Sequence, residues 1–123
     1  WSNFVEFCIK NNLGGIENLS MIPGNVGSAP VQNIGAYGVE LKDVFLTCEV
    51  FNKNDFSIKT YNLEDCKFEY RNSIFKENKS LIILSLYFLT RQYTDCEDCR
   101  LVIGIVLGVT LLLYDIYNHK KVE

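Results

Sequence analysis

Apolar residues at the start of the chain recur at helical spacing. The positions i, i+3, i+4, i+7 and i+8 are all apolar, being Trp1, Phe4, Val5, Cys8 and Ile9. This spacing is typical of an amphipathic helix that buries one face. Ser2 or Asn3 is available as the N-terminal cap, and the asparagine and glycine pairs within residues 11–15 predict where the helix ends.

The next regular segments have the composition of strands. Val44–Asn52 and Phe56–Tyr61 are rich in β-branched and aromatic residues and flank an Asn-Lys-Asn-Asp turn, which predicts a hairpin. Asn62 and Asp65 can cap a short helix over 63–67, and Ser80–Leu89 predicts a buried strand. Together these segments predict an α+β fold with an antiparallel sheet and flanking helices.

Two segments have neither helical nor strand periodicity. Ile22–Gly38 contains both prolines and four of the eight glycines, and no charged residue occurs from Asn18 to Val39. Its Gly-x-x-Gly pairs allow a ligand to approach the backbone closely, and we predict a short helix near Gly27. The alternative is an ordinary surface connection, because the segment contains no complete nucleotide-binding fingerprint. The second segment, Phe68–Lys76, places Arg71 either on a functional connection or in a plain surface turn.

The end of the chain carries an apolar run over Leu101–Leu113. Thirteen residues are fewer than the roughly 20 that a helix needs to cross a bilayer. Extending the run to Tyr117 lengthens it but includes Asp115. The run therefore predicts a buried strand or helix, and the weaker alternative is a marginal membrane segment over residues 101–117.

Composition narrows the range of partners. The 123 residues suit one domain or part of one. A net charge of −3 gives no sign of the basic surface that nucleic-acid-binding proteins use. Five cysteines, an odd number, and the absence of a signal sequence indicate a reduced, cytoplasmic environment. Cys96 and Cys99 form a lone Cys-x-x-Cys pair and His119 is the single histidine, so we expect no metal site.

Two motifs point to a known family. The segment ENLSMIPGNVGSAPVQNIGAYGVE, Glu17–Glu40, closely resembles the flavin-binding segment of the UDP-N-acetylenolpyruvoylglucosamine reductase (MurB) family. The segment CKFEYRNSIFK, Cys66–Lys76, resembles a later motif of the same family, in the same order and at a compatible distance. The resemblance extends from Trp1 to about Leu89.

This resemblance implies a fold and an activity. Residues 1–89 would form the second subdomain of a vanillyl-alcohol-oxidase-type FAD-binding domain, followed by a divergent tail over 90–123. Members of the family use NADPH to reduce bound FAD. The reduced flavin then passes hydride to the enolpyruvyl ether of a UDP-sugar, giving UDP-N-acetylmuramate for peptidoglycan precursor synthesis.

The resemblance also implies the site residues. Arg71 corresponds to the catalytic arginine and binds substrate, and Tyr37 and Tyr70 line the substrate pocket. The loop residues expected to bind FAD are Ile22, Pro23, Gly24, Val26, Gly27, Ser28, Ala29, Gln32, Asn33, Ile34, Gly35 and Ala36. Of these, Ile22, Val26 and Ile34 would supply apolar contact.

Other parts of the family pattern are expected outside these residues. The glycine-rich segment for the FAD diphosphate should precede Trp1, and the domain carrying the serine proton donor and a catalytic glutamate should follow Leu89. Ser73 lies before that domain, so we do not assign it the role of proton donor. We therefore expect a fragment that is inactive alone, with a tail that arises from a frame change, a misjoined reading frame or a truncated gene. The competing hypothesis is a non-enzymatic remnant or binding module whose apolar tail is a membrane tether or a partner-binding element.

Overall fold

A computed structural model of the chain describes residues 1–92, 100–106 and 110–114. Two α-helices are present in these ranges, α1 over Ser2–Lys10 and α2 over Ile74–Glu77. The strands are β1 (Leu13–Gly14), β2 (Gly35–Ala36), β3 (Val39–Glu40), β4 (Phe45–Asn52), β5 (Ser57–Tyr61), β6 (Leu81–Gln92), β7 (Arg100–Val106) and β8 (Thr110–Tyr114). Single turns of 3₁₀ helix cover Glu17–Leu19, Val26–Ser28 and Leu41–Asp43.

The main sheet is antiparallel, in the order β5-β4-β6-β7-β8, and β1 pairs with the end of β6. The predicted hairpin is confirmed, with Cys48 opposite Tyr61 and Asn52 opposite Ser57. The buried strand predicted over Ser80–Leu89 is also present as β6, although it continues to Gln92. The fold is therefore α+β with an antiparallel sheet, as the sequence predicts.

The core lies between α1 and one face of the sheet. Phe4, Val5 and Cys8 of α1 are buried, as the helical spacing predicts. The ring of Phe4 packs against Phe88 of β6 with a centroid distance of 5.2 Å, and the Trp1 ring lies 6.2 Å from Phe88. The Trp1 indole N–H also donates to the carbonyl oxygen of Leu19 at 2.7 Å, so the start of the helix is tied to the residues just before Ile22–Gly38.

Two local predictions are wrong. Helix α1 begins at Ser2 with Trp1 as its N-cap, and neither Ser2 nor Asn3 caps it. The Ser2 hydroxyl instead donates to the Ser20 carbonyl oxygen at 3.2 Å. The helix predicted over 63–67 is a turn. Asn62 and Asp65 each accept the other's backbone N–H, so the capping pair closes one turn that no helix continues.

The apolar run near the end of the chain contributes strands to the main sheet. Strand β7 pairs with β6 over seven residues, from Ser85 opposite Val106 to Arg91 opposite Arg100, and β8 pairs with β7. In the ranges the structure describes, no helix is long and apolar enough to cross a membrane. Residues 107–109 and 115–117 of the predicted membrane segment lie outside those ranges, as do Cys96, Cys99 and His119.

Candidate functional site

The uncharged loop Ile22–Gly38 is built from short local structures. The helix predicted near Gly27 is the 3₁₀ turn Val26–Ser28, which begins after Asn25. The Ser28 hydroxyl accepts the Asn25 N–H at 3.3 Å and donates to the Asn25 carbonyl oxygen at 3.0 Å. At the other end, β2 and β3 form a tight hairpin in which both Tyr37 and Gly38 have positive φ, of 52° and 77°. The loop is therefore ordered by its own backbone and by small polar side chains.

The segment Phe68–Lys76 makes a second tight turn. Glu69 and Asn72 exchange backbone hydrogen bonds of 3.0 and 3.2 Å across it. Arg71 occupies the turn with a φ of 51°, in the left-handed region that non-glycine residues rarely adopt. Ser73 then caps α2, because its hydroxyl accepts the N–H of Phe75 at 3.2 Å. The irregular connection predicted from the sequence is present, and it holds Arg71 in a strained backbone conformation.

Hydrogen bonds join these two segments. The buried hydroxyl of Ser73 donates to the carbonyl oxygen of Val31 at 2.7 Å. The side-chain amide of Asn33 donates to the carbonyl oxygen of Glu69 at 3.0 Å. Two motifs that lie more than thirty residues apart in the chain thus form one unit.

The guanidinium of Arg71 completes the junction. Its Nη2 donates to the carbonyl oxygen of Gly35 at 2.8 Å and its Nη1 to that of Asn33 at 3.3 Å. The carboxylate of Glu40 lies 3.9 Å from Nη1, at the limit of an ion pair. The side chain remains 37% exposed, so the guanidinium is positioned by the protein and still reaches solvent.

Two exposed tyrosines stand beside Arg71. The Tyr70 ring lies 4.8 Å from the guanidinium carbon, a distance that allows a cation–π contact. Tyr37 and Tyr70 are 88% and 80% exposed, which is unusual for large aromatic side chains. A cavity of about 420 Å³ is lined by both tyrosines, Arg71, Gly35 and Ala36. The predicted substrate residues are therefore brought together, and we call this cavity the arginine cavity.

The arginine cavity also contains charged residues that the sequence prediction missed. Glu40, Lys42 and Asp43 line it. Lys42 pairs with Glu40 at 3.3 Å, and the Asp43 carboxylate accepts the Glu40 N–H at 2.8 Å. Glu40 closes the first motif, but the β2–β3 hairpin that turns it back toward Arg71 is visible only in the structure.

Part of the predicted cofactor set lines a second concavity. This loop cavity, of about 320 Å³, has Pro23, Ser28, Ala29, Gln32 and Ile34 among its lining residues. Trp1, Asn25, Val31, Lys76 and Lys79 complete its walls, and the two lysines were not expected. The predicted cofactor residues are thus divided between the loop cavity and, through Gly35 and Ala36, the arginine cavity.

Five of the predicted cofactor residues line neither cavity: Ile22, Gly24, Val26, Gly27 and Asn33. Ile22 and Val26 are partly buried and pack against the core. Ile34, although it lines the loop cavity, is only 5% exposed and belongs to the core itself. Gly24 is exposed with a φ of 129°, and Gly27 lies within the 3₁₀ turn. Asn33 is completely buried, and both ends of its amide are hydrogen-bonded within the protein.

The cysteines of the described ranges lie in the hydrophobic core. Cys8, Cys48 and Cys66 are buried free thiols. Burial raises the pKa of Cys8 to about 12. A hydrogen bond with Cys66, together with burial, raises the pKa of Cys48. The thiols of Cys8 and Cys48 therefore stay protonated at neutral pH and supply no nucleophile.

Comparison with known proteins finds several UDP-N-acetylenolpyruvoylglucosamine reductases. No protein-family model matches the chain. The UDP-N-acetylenolpyruvoylglucosamine reductase of Flavobacterium johnsoniae is 48% identical over 95 residues, which are 75% of this chain and 28% of that protein. The Pseudomonas aeruginosa reductase is 46% identical over 94 residues, with the same coverage. That of Vibrio vulnificus strain YJ016 is 53% identical over 76 residues, or 62% of this chain and 22% of that protein.

A solved structure agrees with these relatives. The crystal structure of the reductase (MurB) from Thermus caldophilus matches with a TM-score of 0.66 and 27% identity, over 75% of this chain and 33% of that one. The chain spans 22–28% of the length of these curated relatives. In sequence and in fold, this chain therefore carries a segment of the UDP-N-acetylenolpyruvoylglucosamine reductase (MurB) family.

Proposed function

We propose that this chain supplies the catalytic arginine and part of the flavin-binding wall of a UDP-N-acetylenolpyruvoylglucosamine reductase. The reaction is the NADPH-dependent, FAD-mediated reduction of the enolpyruvyl group to give UDP-N-acetylmuramate, a cytoplasmic step of peptidoglycan precursor synthesis. The observation that carries this proposal is the placement of the Arg71 guanidinium on the carbonyl oxygens of Gly35 and Asn33. That placement joins the two family motifs at one charged group.

Arg71 suits an enolpyruvyl substrate for an electrostatic reason. Hydride addition to the double bond pushes negative charge toward the adjacent carboxylate, and a guanidinium can stabilise that charge through paired N–H groups. Two N–H groups of Arg71 are committed to backbone carbonyls, which leaves the rest of its five donors for Glu40 and for a ligand. The hydrogen bonds to the carbonyl oxygens of Gly35 and Asn33 hold the guanidinium in place before substrate binds, so the guanidinium need not reorganise during the reaction.

Tyr37 and Tyr70 fit the walls of a substrate pocket. Both rings are exposed at the arginine cavity, where a bound ligand would cover them. Aromatic rings present flat apolar area with a polar hydroxyl at the edge, and they lose little conformational freedom on binding. We assign both tyrosines to substrate contact beside Arg71.

The loop residues fit a flavin. FAD, when bound, supplies the hydride that it has received from NADPH. The loop cavity combines apolar Pro23 and Ala29 with the hydroxyl of Ser28 and the amide of Gln32, and it contains no carboxylate. Such walls match a flat ring system with apolar faces and a polar edge. Gly24, Gly27 and Ala36 would leave room for close backbone approach, and Ile22, Val26 and Ile34 would form apolar support beneath the ring.

We further propose that residues 1–89 are the second subdomain of a vanillyl-alcohol-oxidase-type FAD-binding domain, that 90–123 are a divergent tail, and that the chain alone does not turn over. The α+β fold and the partial coverage of the relatives support this division. The hydroxyl of Ser73 is buried and donates to Val31, so it is not available to protonate a substrate near Arg71. Proton donation would require a group from another part of the enzyme.

A graft tests the proposal in a complete enzyme. Residues 1–89 replace the matching segment of the Flavobacterium johnsoniae reductase, and NADPH oxidation is followed with UDP-N-acetylglucosamine enolpyruvate. We expect turnover in the graft and a fall in kcat of about 100- to 1000-fold for Arg71→Ala, because a positioned charge that stabilises the transition state is lost. Arg71→Lys should recover only part of kcat, since it keeps the charge but loses the fork.

The matched control is Lys59→Ala, which removes an exposed cation of β5 outside both cavities. This variant should keep the turnover of the parent graft. A graft that binds FAD and retains full kcat after Arg71→Ala would contradict the role proposed for Arg71. For the chain by itself, titration with FAD should give weak binding and no NADPH oxidation.

A further inference from the structure

Asn33 is the most completely buried polar residue of the uncharged loop. Its side chain is 0% exposed and its φ is 43°, in the left-handed region that asparagine tolerates better than most residues. The resemblance places it among the cofactor-binding residues, but its amide does not reach either cavity. Its function must therefore be sought in the contacts that it makes inside the protein.

Three segments meet at the Asn33 amide. Its Nδ2 donates to the carbonyl oxygen of Glu69 at 3.0 Å, and its Oδ1 accepts the N–H of Lys42 at 3.0 Å. Its own carbonyl oxygen accepts from Nη1 of Arg71 at 3.3 Å. The residue thus connects the loop with the turn that carries Arg71 and with the 3₁₀ turn after β3.

These contacts fix where Arg71 can go. The bond to Glu69 holds the backbone two residues before Arg71, and the bond from Lys42 holds the end of the β2–β3 hairpin, which presents the carbonyl oxygen of Gly35 to the guanidinium. Breaking the hydrogen bonds of a buried amide whose donor and acceptor are both used is unfavourable, because the partner groups lose their hydrogen bonds away from water. A change at Asn33 would release both supports of the guanidinium at once.

We propose that Asn33 is a positioning residue that acts through Arg71, by setting the register of the Arg71 turn against the loop. This inference rests on the proposed function only for its effect on turnover. The coupling between Asn33 and Arg71 is a property of the 123-residue chain and can be measured without substrate, FAD or NADPH.

The measurement uses an arginine-selective dicarbonyl reagent, phenylglyoxal, on the full chain. Modification at Arg71 and at Arg91 is followed by peptide mapping, and the exposed Arg91 serves as the reference within the same molecule. We expect Asn33→Ala to raise the rate at Arg71 relative to Arg91 by about tenfold, since a lost buried hydrogen bond shifts the equilibrium between held and released states by about that factor.

A matched control separates positioning from a general loss of stability. Ser85 is also a buried polar residue, and its hydroxyl donates to the Glu49 carboxylate at 2.6 Å in the sheet. Ser85→Ala should leave the ratio of Arg71 to Arg91 modification unchanged. The proposal is overturned if folded Asn33→Ala keeps the wild-type ratio, or if Ser85→Ala raises the ratio as much.

A second measurement needs no alanine variant. In the unchanged chain the Nδ2 protons of Asn33 and the amide of Lys42 should exchange slowly with solvent. Asn33→Asp keeps the acceptor of the Lys42 N–H but loses the donor to Glu69, and it should therefore speed modification at Arg71. Rapid exchange of both groups in the unchanged chain would contradict the inference.

Turnover in the graft gives a third measurement. In the graft, Asn33→Ala should lower kcat with FAD content unchanged. If Arg71→Ala leaves turnover intact while the modification ratio still responds to Asn33, the proposed function fails and the coupling stands.

Discussion

Gly35 lies directly against the guanidinium of Arg71. A β-carbon built on Gly35 would lie 2.7 Å from Nη1 of Arg71 and 3.0 Å from the carbonyl oxygen of Val39. Such distances are shorter than a van der Waals contact, so the arginine occupies the space that a side chain would need. This is the physical reason for a glycine at the start of the β2–β3 hairpin.

Gly35→Ala should therefore displace Arg71. We expect a loss of about 1–3 kcal/mol in the free energy of unfolding, the usual cost of overpacking, and faster phenylglyoxal modification at Arg71. Gly38→Ala is the matched control. Its φ of 77° makes alanine strained, but an added β-carbon would meet nothing within 4 Å. Gly38→Ala should lose stability without changing Arg71 reactivity, and an equal change in both variants would contradict the explanation.

Cys8 gives the chain a sensitivity to alkaline pH. Burial raises its pKa from the usual 9.0 to about 12 in the folded chain. The unfolded chain therefore releases this proton first, so the stabilisation is complete below pH 9 and is lost as pH rises from 9 toward about 12. We expect the free energy of unfolding, measured with denaturant between about pH 8 and pH 11, to fall more steeply in the unchanged chain than in Cys8→Ala. If the free energy of unfolding fell equally steeply with pH in both proteins, burial of the Cys8 thiol would not be the cause.

At the level of elements, the loop and the Arg71 turn form one structural unit. Helix α2 has only four residues and could not form alone, because isolated helices of that length are unstable in water. Ser73 caps it and also donates to Val31, so one hydroxyl fixes both the start of the helix and its position against the loop. The Arg71 turn is thereby held from both sides, by Ser73 after it and by Asn33 through Glu69 before it.

Ser73→Ala should show how much this junction contributes. Loss of the cap and of a buried donor predicts a decrease of about 1–3 kcal/mol in the free energy of unfolding. Ser2→Ala is the control, because the hydroxyl of Ser2 also donates to a loop carbonyl, that of Ser20, but does so at the surface. That variant should change stability by no more than about 0.5 kcal/mol. Equal losses in the two variants would exclude a special role for the buried bond.

At the level of the whole molecule, the main sheet continues beyond residue 89, where the sequence resemblance was expected to end. Strand β7 pairs with the second half of β6, and Gly104 lies opposite Tyr87. A β-carbon built on Gly104 would lie 2.7 Å from Cε1 of Tyr87, so the tyrosine ring covers the glycine. The described strands of the proposed tail, β7 and β8, are thus part of the same sheet as β4 and β5.

Gly104→Ala tests whether the tail is packed in this way. The added methyl group must move the Tyr87 ring, and we expect a loss of about 1–3 kcal/mol in the free energy of unfolding. The same substitution in a Tyr87→Ala background should cost much less, because the two residues are in contact and their effects are not additive. Additive effects in this double-mutant cycle would contradict the pairing of β6 with β7.

Several features of this protein follow from the sequence alone, because they depend on local patterns. Helical spacing predicts α1, and the alternating, β-branched segments predict the β4–β5 hairpin and β6. The two long motifs predict the family, and the similarity to its reductases confirms that prediction. The irregular connection that carries Arg71 is also predicted, because Asn72 and Ser73 interrupt any regular strand. The left-handed backbone of Arg71 is visible only in the structure.

Only the tertiary structure decided which of the motif residues touch one another. Asn33 looks like a ligand-facing residue in the sequence, yet it is buried and its amide joins three segments. Glu40 reaches Arg71 because a hairpin reverses the chain at Tyr37 and Gly38. Such contacts depend on backbone reversal and on hydrogen bonds between residues more than thirty positions apart, and no local pattern of apolar and polar residues encodes them.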